Sequence, residues 1–95
     1  MTYSEAIEFL KEGHCVSRSS WSKGQFVCKQ NTCTIDYEVI PNMTSLPESA
    51  KEELKKRESS ITYKDQMIVI NSDNLITSWI ATPFDTFATD WVVYD

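Results

Sequence analysis

The chain has 95 residues and a mass of 10.9 kDa, with two glycines and three prolines and no linker-like stretch, so a single domain over residues 1–95 is expected. Its residues are 41% hydrophobic, 12% aromatic and 24% charged, which excludes disordered, collagen-like and membrane-spanning classes. The net charge of -5 repels polyanions, so no nucleic-acid polymer is expected as a partner.

The N-terminal segment has the pattern of an amphipathic helix. Thr2-Tyr3-Ser4-Glu5 is a capping-box sequence, in which the Thr2 hydroxyl and the Glu5 carboxylate satisfy each other's backbone amides. Gly13 is suited to a left-handed C-terminal stop. The apolar side chains between them recur at helical spacing, at Tyr3, Ala6, Ile7 and Leu10. The pattern predicts a helix over about residues 3–12.

From His14 onward, short segments rich in β-branched and aromatic residues alternate with polar turns, which predicts β-strands. The predicted strands are His14–Arg18, Gln25–Lys29, Thr34–Ile40, Ser60–Asn71, Asn74–Ala81 and Asp90–Tyr94. The turn at Ser72-Asp73 predicts a hairpin.

A second helix is predicted between these strands, from Ser45-Leu46-Pro47-Glu48 to about Arg57. Its apolar stripe is narrow, which favours a surface position. The fold class is therefore α+β, with an N-terminal helix packed on a small antiparallel β-sheet and an additional short surface helix.

The cysteines and the N-terminus indicate where the protein resides. Three cysteines, Cys15, Cys28 and Cys33, are an odd number, which argues against a closed disulfide framework and for a reducing compartment. Residues 1–10 carry acidic side chains and no basic start to a signal peptide. The longest apolar runs fall far short of the roughly 20 residues of a membrane helix. We expect the protein to remain in the cell that makes it, with no membrane partner.

No metal or cofactor is expected. His14 neighbours Cys15, but adjacent strand residues point to opposite faces and are poorly placed to ligate one ion together. The two glycines leave almost no room for a phosphate-cradling loop, and no nucleophile motif is present. Asp85 and Asp90 are the pair of carboxylates considered for acid–base chemistry, and no residue is assigned as catalytic.

Bulky aromatic side chains lie beside polar turns, and three tryptophans is a high number for this length. Because a small domain needs large apolar side chains to build a core, each ring taken alone favours a core position. The alternative is a platform for a planar ligand. The rings are Trp21, Phe26, Trp79, Phe84, Phe87 and Trp91.

Short motifs lie at both ends of the chain. At the start they are Glu5-Ala6-Ile7, Leu10-Lys11-Glu12-Gly13, Val16-Ser17-Arg18 with Trp21, and Lys23-Gly24 with Phe26. At the end they are Trp79-Ile80-Ala81 with Asp85, Ala88 and Asp90-Trp91. In order and spacing these motifs resemble the Thoeris anti-defence two family of small phage and bacterial domains, and the resemblance covers residues 5–29 and 75–94.

The resemblance implies a molecular sponge in the host cytoplasm. Proteins of this family bind 1''-3' glycocyclic ADP-ribose, the immune signal made by a bacterial TIR-domain enzyme, and withhold it from its effector without cleaving it. The family is homotetrameric, with the nucleotide held near subunit contacts. The expected partners are therefore this small molecule and further copies of the chain.

A cyclic ADP-ribose presents an adenine face, two riboses and a diphosphate, and the sequence contains a partner for each. Trp21 and Trp79 are predicted to stack on the base, at roughly 1–3 kcal/mol per stacked base, with Phe26 closing the other side. The Arg18 guanidinium is predicted to bond two phosphate oxygens. Thr82 and Asp90 are predicted to meet ribose hydroxyls.

Size also favours an oligomer, because a pocket of about 300–1,000 Å³ is costly to carve from one small core and cheaper to form between two subunits. Two other functions stay open at this stage. One is a protein–protein interaction module that inhibits a host protein, with the aromatic rings as interface anchors. The other is a small cyclic-nucleotide hydrolase with Asp85 or Asp90 as the base.

Overall fold

The computed structural model of the protein describes residues 1–94. It has three α-helices, α1 (Tyr3–Lys11), α2 (Glu48–Arg57) and α3 (Pro83–Phe87), and a 3-10 helix at Tyr37–Asn42. The strands are β1 (Val16–Arg18), β2 (Phe26–Gln30), β3 (Cys33–Ile35), β4 (Ile61–Tyr63), β5 (Gln66–Ile70), β6 (Ile76–Ser78) and β7 (Trp91–Val93). The α+β fold class is confirmed.

The described chain divides into two compact units. Residues 1–30 and 65–94 form the first, and residues 31–64 form the second. The first unit contains a five-stranded sheet in the order β6-β5-β2-β1-β7, in which all neighbours are antiparallel. The second contains the antiparallel pair β3-β4, the 3-10 helix and α2. The single domain over residues 1–95 stays a prediction.

The predicted N-terminal helix is confirmed as α1. The Thr2 hydroxyl accepts a hydrogen bond from the Glu5 amide, and the Glu5 carboxylate accepts one from the Thr2 amide, which forms the predicted capping box. After the helix, Gly13 adopts a φ of 93°, a conformation that glycine accommodates without strain.

One face of the five-stranded sheet carries the core of the first unit. Val16 and Val27 face each other across β1 and β2, and both are fully buried with Ala6 and Leu10 of α1 and Trp91 of β7. Because strand side chains alternate, the neighbours of Val16 and Val27 in the sequence point to the opposite face. We call that face, which carries Cys15, Phe26, Cys28 and Tyr94, the outer sheet face.

The hairpin predicted at Ser72-Asp73 is confirmed as the β5–β6 connection. The Asn71 side-chain carbonyl accepts hydrogen bonds from the Asp73 and Leu75 amides, and Asn74 takes a positive φ of 62°. The Asn71 side chain stabilises the turn, and Asn74 takes the left-handed conformation, which asparagine tolerates. This hairpin therefore needs no glycine.

In the second unit, α2 is confirmed as a surface helix that contains no buried residue. An ion pair one turn apart joins Glu53 to Arg57 at 3.5 Å on its exposed surface.

Three sequence predictions need correction. The strand expected at Thr34–Ile40 ends at Ile35, because the chain turns at Asp36 into a 3-10 helix. The long strand expected at Ser60–Asn71 is two strands, β4 and β5, in different sheets. The strand expected at Asn74–Ala81 ends at Ser78.

No helix within residues 1–94 combines the length and the apolar character needed to cross a membrane. Over the same residues, no three His, Cys, Asp or Glu side chains are grouped so that they could hold a metal ion.

Candidate functional site

Arg18 forms an ion-paired centre at the end of β1. The strand register places it opposite Trp91. Its Nε donates to Asp90 Oδ1 at 2.8 Å, and its Nη1 donates to Asp85 Oδ1 at 3.0 Å. We call Arg18, Asp85 and Asp90 the Arg18 triad. Its two carboxylates lie 67 and 72 residues away from Arg18 in the sequence, so the fold alone brings them together.

Asp85 is held by the first turn of α3. Its carboxylate accepts hydrogen bonds at 2.9 Å from both the amide and the hydroxyl of Thr82, while its own amide donates to the Thr82 hydroxyl at 3.2 Å. Burial of Asp85 opposes its ionisation, but the bonds from Thr82 and Arg18 outweigh burial and lower the pKa of the carboxyl. The residue is 7% exposed and ionised.

Asp90 is more accessible and is also ionised. Hydrogen bonds from Arg18 and Ser20 lower its pKa to about 2, and the Ser20 amide donates to Oδ2 at 3.2 Å. Its side chain is 28% exposed, against 9% for Asp85. Bonds to Asp90 and Asp85 in turn raise the pKa of Arg18, so the triad carries one positive and two negative charges at neutral pH.

Three indole rings and one phenol pack together on the core face of the sheet. Ring centroids lie 5.3 Å apart for Trp21 and Trp91, 5.9 Å for Trp79 and Trp91, and 6.2 Å for Trp21 and Trp79, all edge to face. The Tyr3 ring lies 5.3 Å from Trp91. We call these four residues the indole cluster.

The members of the indole cluster differ in exposure. Trp91 is 1% exposed, and its indole N–H donates to the Asp85 carbonyl at 2.9 Å, so it is a core residue that connects the cluster to the Arg18 triad. Trp21 and Trp79 are half-buried and pack against the core. Burial raises the pKa of the Tyr3 phenol, and the charge of Asp85 raises it further.

The Thoeris anti-defense 2-like domain matches residues 1–94. The chain belongs to this family. The match spans both compact units and supports a phage anti-Thoeris role. A search of curated proteins returned no match.

In this Thoeris anti-defense 2-like domain, five of the six predicted site residues lie in one region. Arg18, Thr82 and Asp90 belong to the Arg18 triad or bond directly to it. Trp21 and Trp79 both pack against Trp91, whose indole N–H donates to the backbone carbonyl of Asp85 in the triad. The ligand-binding roles of these residues stay predictions.

Phe26 lies apart from the other five residues. Its neighbour Val27 points into the core, so Phe26 points to the outer sheet face, where it stacks on Tyr94 at 4.7 Å and 22°. Trp79 lies on the same sheet face as Val27. Lys29 shares the face of Val27 and pairs with Met67, and the Met67 carbonyl in turn accepts a hydrogen bond from the Trp79 amide. Phe26 therefore does not face Trp21 or Trp79 across a slot.

Sequence analysis missed α3 and the roles of three residues in the site. Thr82-Pro83-Phe84-Asp85 has the signal of a helix start, a capping pair with proline at the first helical position, and that signal could have located α3. The sequence pattern assigned Tyr3 to the apolar stripe of the first helix and Trp91 to the last strand. No local pattern indicates that these two rings meet, or that Asp85 binds Arg18.

Two cavities lie within the second unit, and neither is lined by a predicted site residue. One has a volume of about 300 Å³, within the range of ligand pockets, and both are bordered by Tyr37, Glu52 and Lys55. The cavities give no support to a site at the indole cluster.

Proposed function

We propose that this protein is a phage sponge that sequesters glycocyclic ADP-ribose in the host cytoplasm without degrading it, and so blocks activation of the Thoeris effector. One observation supports the proposal: in a chain of the Thoeris anti-defense 2-like family, the half-buried indoles of Trp21 and Trp79 lie close to the ionised Arg18 triad. Stacking rings and ionised hydrogen-bonding groups are what an adenine with two riboses and a diphosphate requires.

The base stacks on the exposed part of Trp21 or Trp79 in this proposal. The two rings meet edge to face at 72°, so a planar base lies parallel to only one of them and packs its edge against the other. One indole therefore supplies the stacking energy, and the second fixes the orientation of the base.

The Arg18 triad binds the sugar–diphosphate part by exchanging partners. In the free chain, both carboxylates are bonded to Arg18, so a diphosphate competes with one of them. Asp90 is the carboxylate that yields, because it is the more exposed and Asp85 is anchored by Thr82. Released from Arg18, the Asp90 carboxylate becomes an acceptor for a ribose hydroxyl.

The carboxylates support binding rather than hydrolysis. A general base works best when its pKa lies near the working pH, and the pKa of Asp90 is about 2. Asp85 also has a lowered pKa, and its carboxylate is engaged by Thr82 and Arg18. Both groups therefore take up a proton poorly at neutral pH, which argues against the hydrolase alternative.

We propose a homo-oligomer, a tetramer in line with the family resemblance. Ile80, Phe84 and Phe87 are each more than four-fifths exposed, and they flank Trp79, Thr82 and Asp85 in the sequence. Covering a large aromatic side chain buries roughly 150–250 Å². Pairing this patch between two copies would bury on the order of 1,000 Å² in total, about the minimum for a specific interface.

The test is capture and release of an intact ligand. The protein is incubated with glycocyclic ADP-ribose, separated from free ligand by gel filtration, heat-denatured and analysed by mass spectrometry. Recovery of unchanged nucleotide supports the sponge, and a converted product refutes it. Light scattering on the same sample gives the subunit number, and a monomer contradicts the assembly.

Matched variants locate the site. Trp21→Ala and Trp79→Ala each remove an indole from the proposed site, and each is expected to weaken capture by about 5- to 150-fold, since stacking contributes roughly 1–3 kcal/mol. Tyr37→Ala removes an aromatic ring from the cavities of the second unit and is expected to leave capture unchanged. If Tyr37→Ala weakens capture and the two tryptophan variants do not, the ligand binds in the second unit.

The exposed apolar patch also favours one alternative, an interaction module that blocks a host protein. Side chains as exposed as Phe84 and Phe87 are typical of a protein interface. A stoichiometric host protein recovered with the wild type and lost with Phe84→Ser, together with no thermal shift on adding cyclic ADP-ribose isomers, would favour this alternative.

A further inference from the structure

Cys15 and Cys28 lie directly opposite each other on neighbouring strands. Val16 pairs with Val27 in the antiparallel register of β1 and β2, and one step further along the same register pairs Cys15 with Cys28. Both cysteines point to the outer sheet face, because Val16 and Val27 point into the core. Both are partly exposed, and all three cysteines are in the thiol form.

The hydrogen-bond pattern of the sheet gives this pair its geometry. The Cys15 carbonyl accepts from the Tyr94 amide of the β7 segment at 2.9 Å, so the backbone groups of Cys15 point away from β2. On the other side of β2, the Met67 carbonyl of β5 accepts from the Trp79 amide, so the backbone groups of Met67 point towards β6. The next residue, Ile68, therefore points its backbone groups towards β2, where its partner is Cys28. The backbone groups of Cys28 thus point towards β5 and away from β1. Cys15 and Cys28 are thus a non-hydrogen-bonded pair.

This kind of pair has the spacing that a disulfide requires. The Cα atoms of a non-hydrogen-bonded antiparallel pair are about 4.5 Å apart, with the side chains drawn together, and disulfides span Cα separations of about 4.4–6.8 Å. The two thiols share a hydrogen bond, which tends to lower the pKa of Cys28, although burial outweighs it and raises that pKa. The sulfur atoms are therefore in contact, and the Cys28 thiol is protonated at neutral pH.

We propose that Cys15 and Cys28 form a reversible oxidation site that closes to a cross-strand disulfide when the folded protein meets a small disulfide oxidant such as oxidised glutathione. One thiolate attacks the oxidant and forms a mixed disulfide, releasing one reduced glutathione. The other thiolate then attacks the protein sulfur, forms the Cys15–Cys28 bond and releases the second reduced glutathione. The two protein thiols are oxidised, the oxidant disulfide is reduced, and two protons pass to the leaving thiolates.

The closed ring would contain the segment that carries Arg18 and Trp21. Linking residues 15 and 28 removes conformational freedom of the intervening chain from the unfolded state, so the oxidised protein should be the more heat-stable form. Cys33 lies in the second unit, where it pairs with Tyr63 of β4, and it is replaced by serine in the test so that only Cys15 and Cys28 can react. The inference does not depend on the proposed ligand.

The experiment counts thiols in the native protein. Fully reduced Cys33→Ser protein is incubated with oxidised glutathione without denaturant, quenched in acid, alkylated in denaturant and weighed intact by mass spectrometry. The expected product has no disulfide between chains, takes up no alkylating agent, carries no glutathione and has lost two hydrogens. Dithiothreitol should restore both thiols. The oxidised form is expected to melt about 10 °C or more above the reduced form.

Two double variants serve as controls. Cys15→Ser with Cys33→Ser and Cys28→Ser with Cys33→Ser each keep a single thiol, so they can end only as free thiol, glutathione adduct or covalent dimer. Four results with the Cys33→Ser protein would overturn the inference: two thiols that persist, a glutathione adduct that never resolves, a covalent dimer, or an oxidised monomer that melts below the reduced one. The last would mean that the native sheet does not accommodate the bond.

Discussion

The three tryptophans of the indole cluster are predicted to divide into one structural ring, Trp91, and two accessible rings, Trp21 and Trp79. Comparing the stability of Trp91→Phe with that of Trp79→Phe tests this division. Trp91 is 1% exposed and donates its indole N–H to the Asp85 carbonyl at 2.9 Å. Trp79 is only half-buried. Phenylalanine keeps an aromatic ring at either position, so the comparison isolates burial and the hydrogen bond.

The expected magnitude for Trp91→Phe follows from these contacts. Loss of the indole hydrogen bond costs about 1 kcal/mol, since the Asp85 carbonyl keeps a weaker bond from the Ala88 amide at 3.4 Å. The smaller ring removes buried atoms and leaves a void, which costs about 1–2 kcal/mol more. The sum, about 2–3 kcal/mol, is a substantial fraction of the roughly 5–14 kcal/mol expected for a chain of this length.

Thermal and urea unfolding followed by far-ultraviolet circular dichroism provide the assay. A loss of about 2–3 kcal/mol lowers the melting temperature of a domain this size by roughly 10–20 °C. Trp79→Phe should cost less than about 1 kcal/mol, because the lost atoms are only half-buried. If Trp79→Phe proves as destabilising as Trp91→Phe, Trp79 is a core residue and its ring is not available to a ligand.

Three further predictions concern the elements that hold the site. The pKa of Asp90 is lowered in the folded state, so the stability that its carboxylate contributes is present above the unfolded pKa and is lost as pH falls from about 4 towards 2. The urea midpoint should therefore fall less steeply over this pH range for Asp90→Asn than for the wild type. An equal slope for the two proteins contradicts the ion pair between Asp90 and Arg18. Thr82→Ala removes the cap of α3 and should cost about 1 kcal/mol by urea unfolding, whereas Thr82→Ser, which keeps the hydroxyl, should cost much less. Gly13→Ala should cost about 1 kcal/mol through its φ of 93° alone, since an added Cβ meets no atom within 4 Å; an unchanged urea midpoint would count against the left-handed stop.

Features that depend on neighbours a few residues apart were predictable from the sequence. The capping box of Thr2 and Glu5, the glycine stop and the apolar stripe of α1 are all local, and α1 forms where they predict it. The same type of signal at Thr82 and Asp85 was present but was not used. Strand positions were also predictable, although their ends were not, because edge residues can leave a ladder without breaking the alternation.

The composition of the candidate site was predictable only in part. Arg18, Trp21 and Trp79 were singled out because their chemistry suits a nucleotide, and all three lie in one region. Phe26 was grouped with them by its position near Trp21 in the sequence. A shift of one residue along a strand reverses the face, and the register with β5 places Phe26 on the outer sheet face.

By itself, the sequence determined the α+β class, the first helix, the approximate strands and the family resemblance, because backbone hydrogen bonding and side-chain alternation act over a few residues. Only the tertiary structure decided that Arg18 is paired with Asp85 and Asp90, that Trp91 is buried while Trp21 and Trp79 are only half-buried, and that Cys15 faces Cys28. These contacts join distant parts of the chain, and they depend on the order and register in which the strands pair.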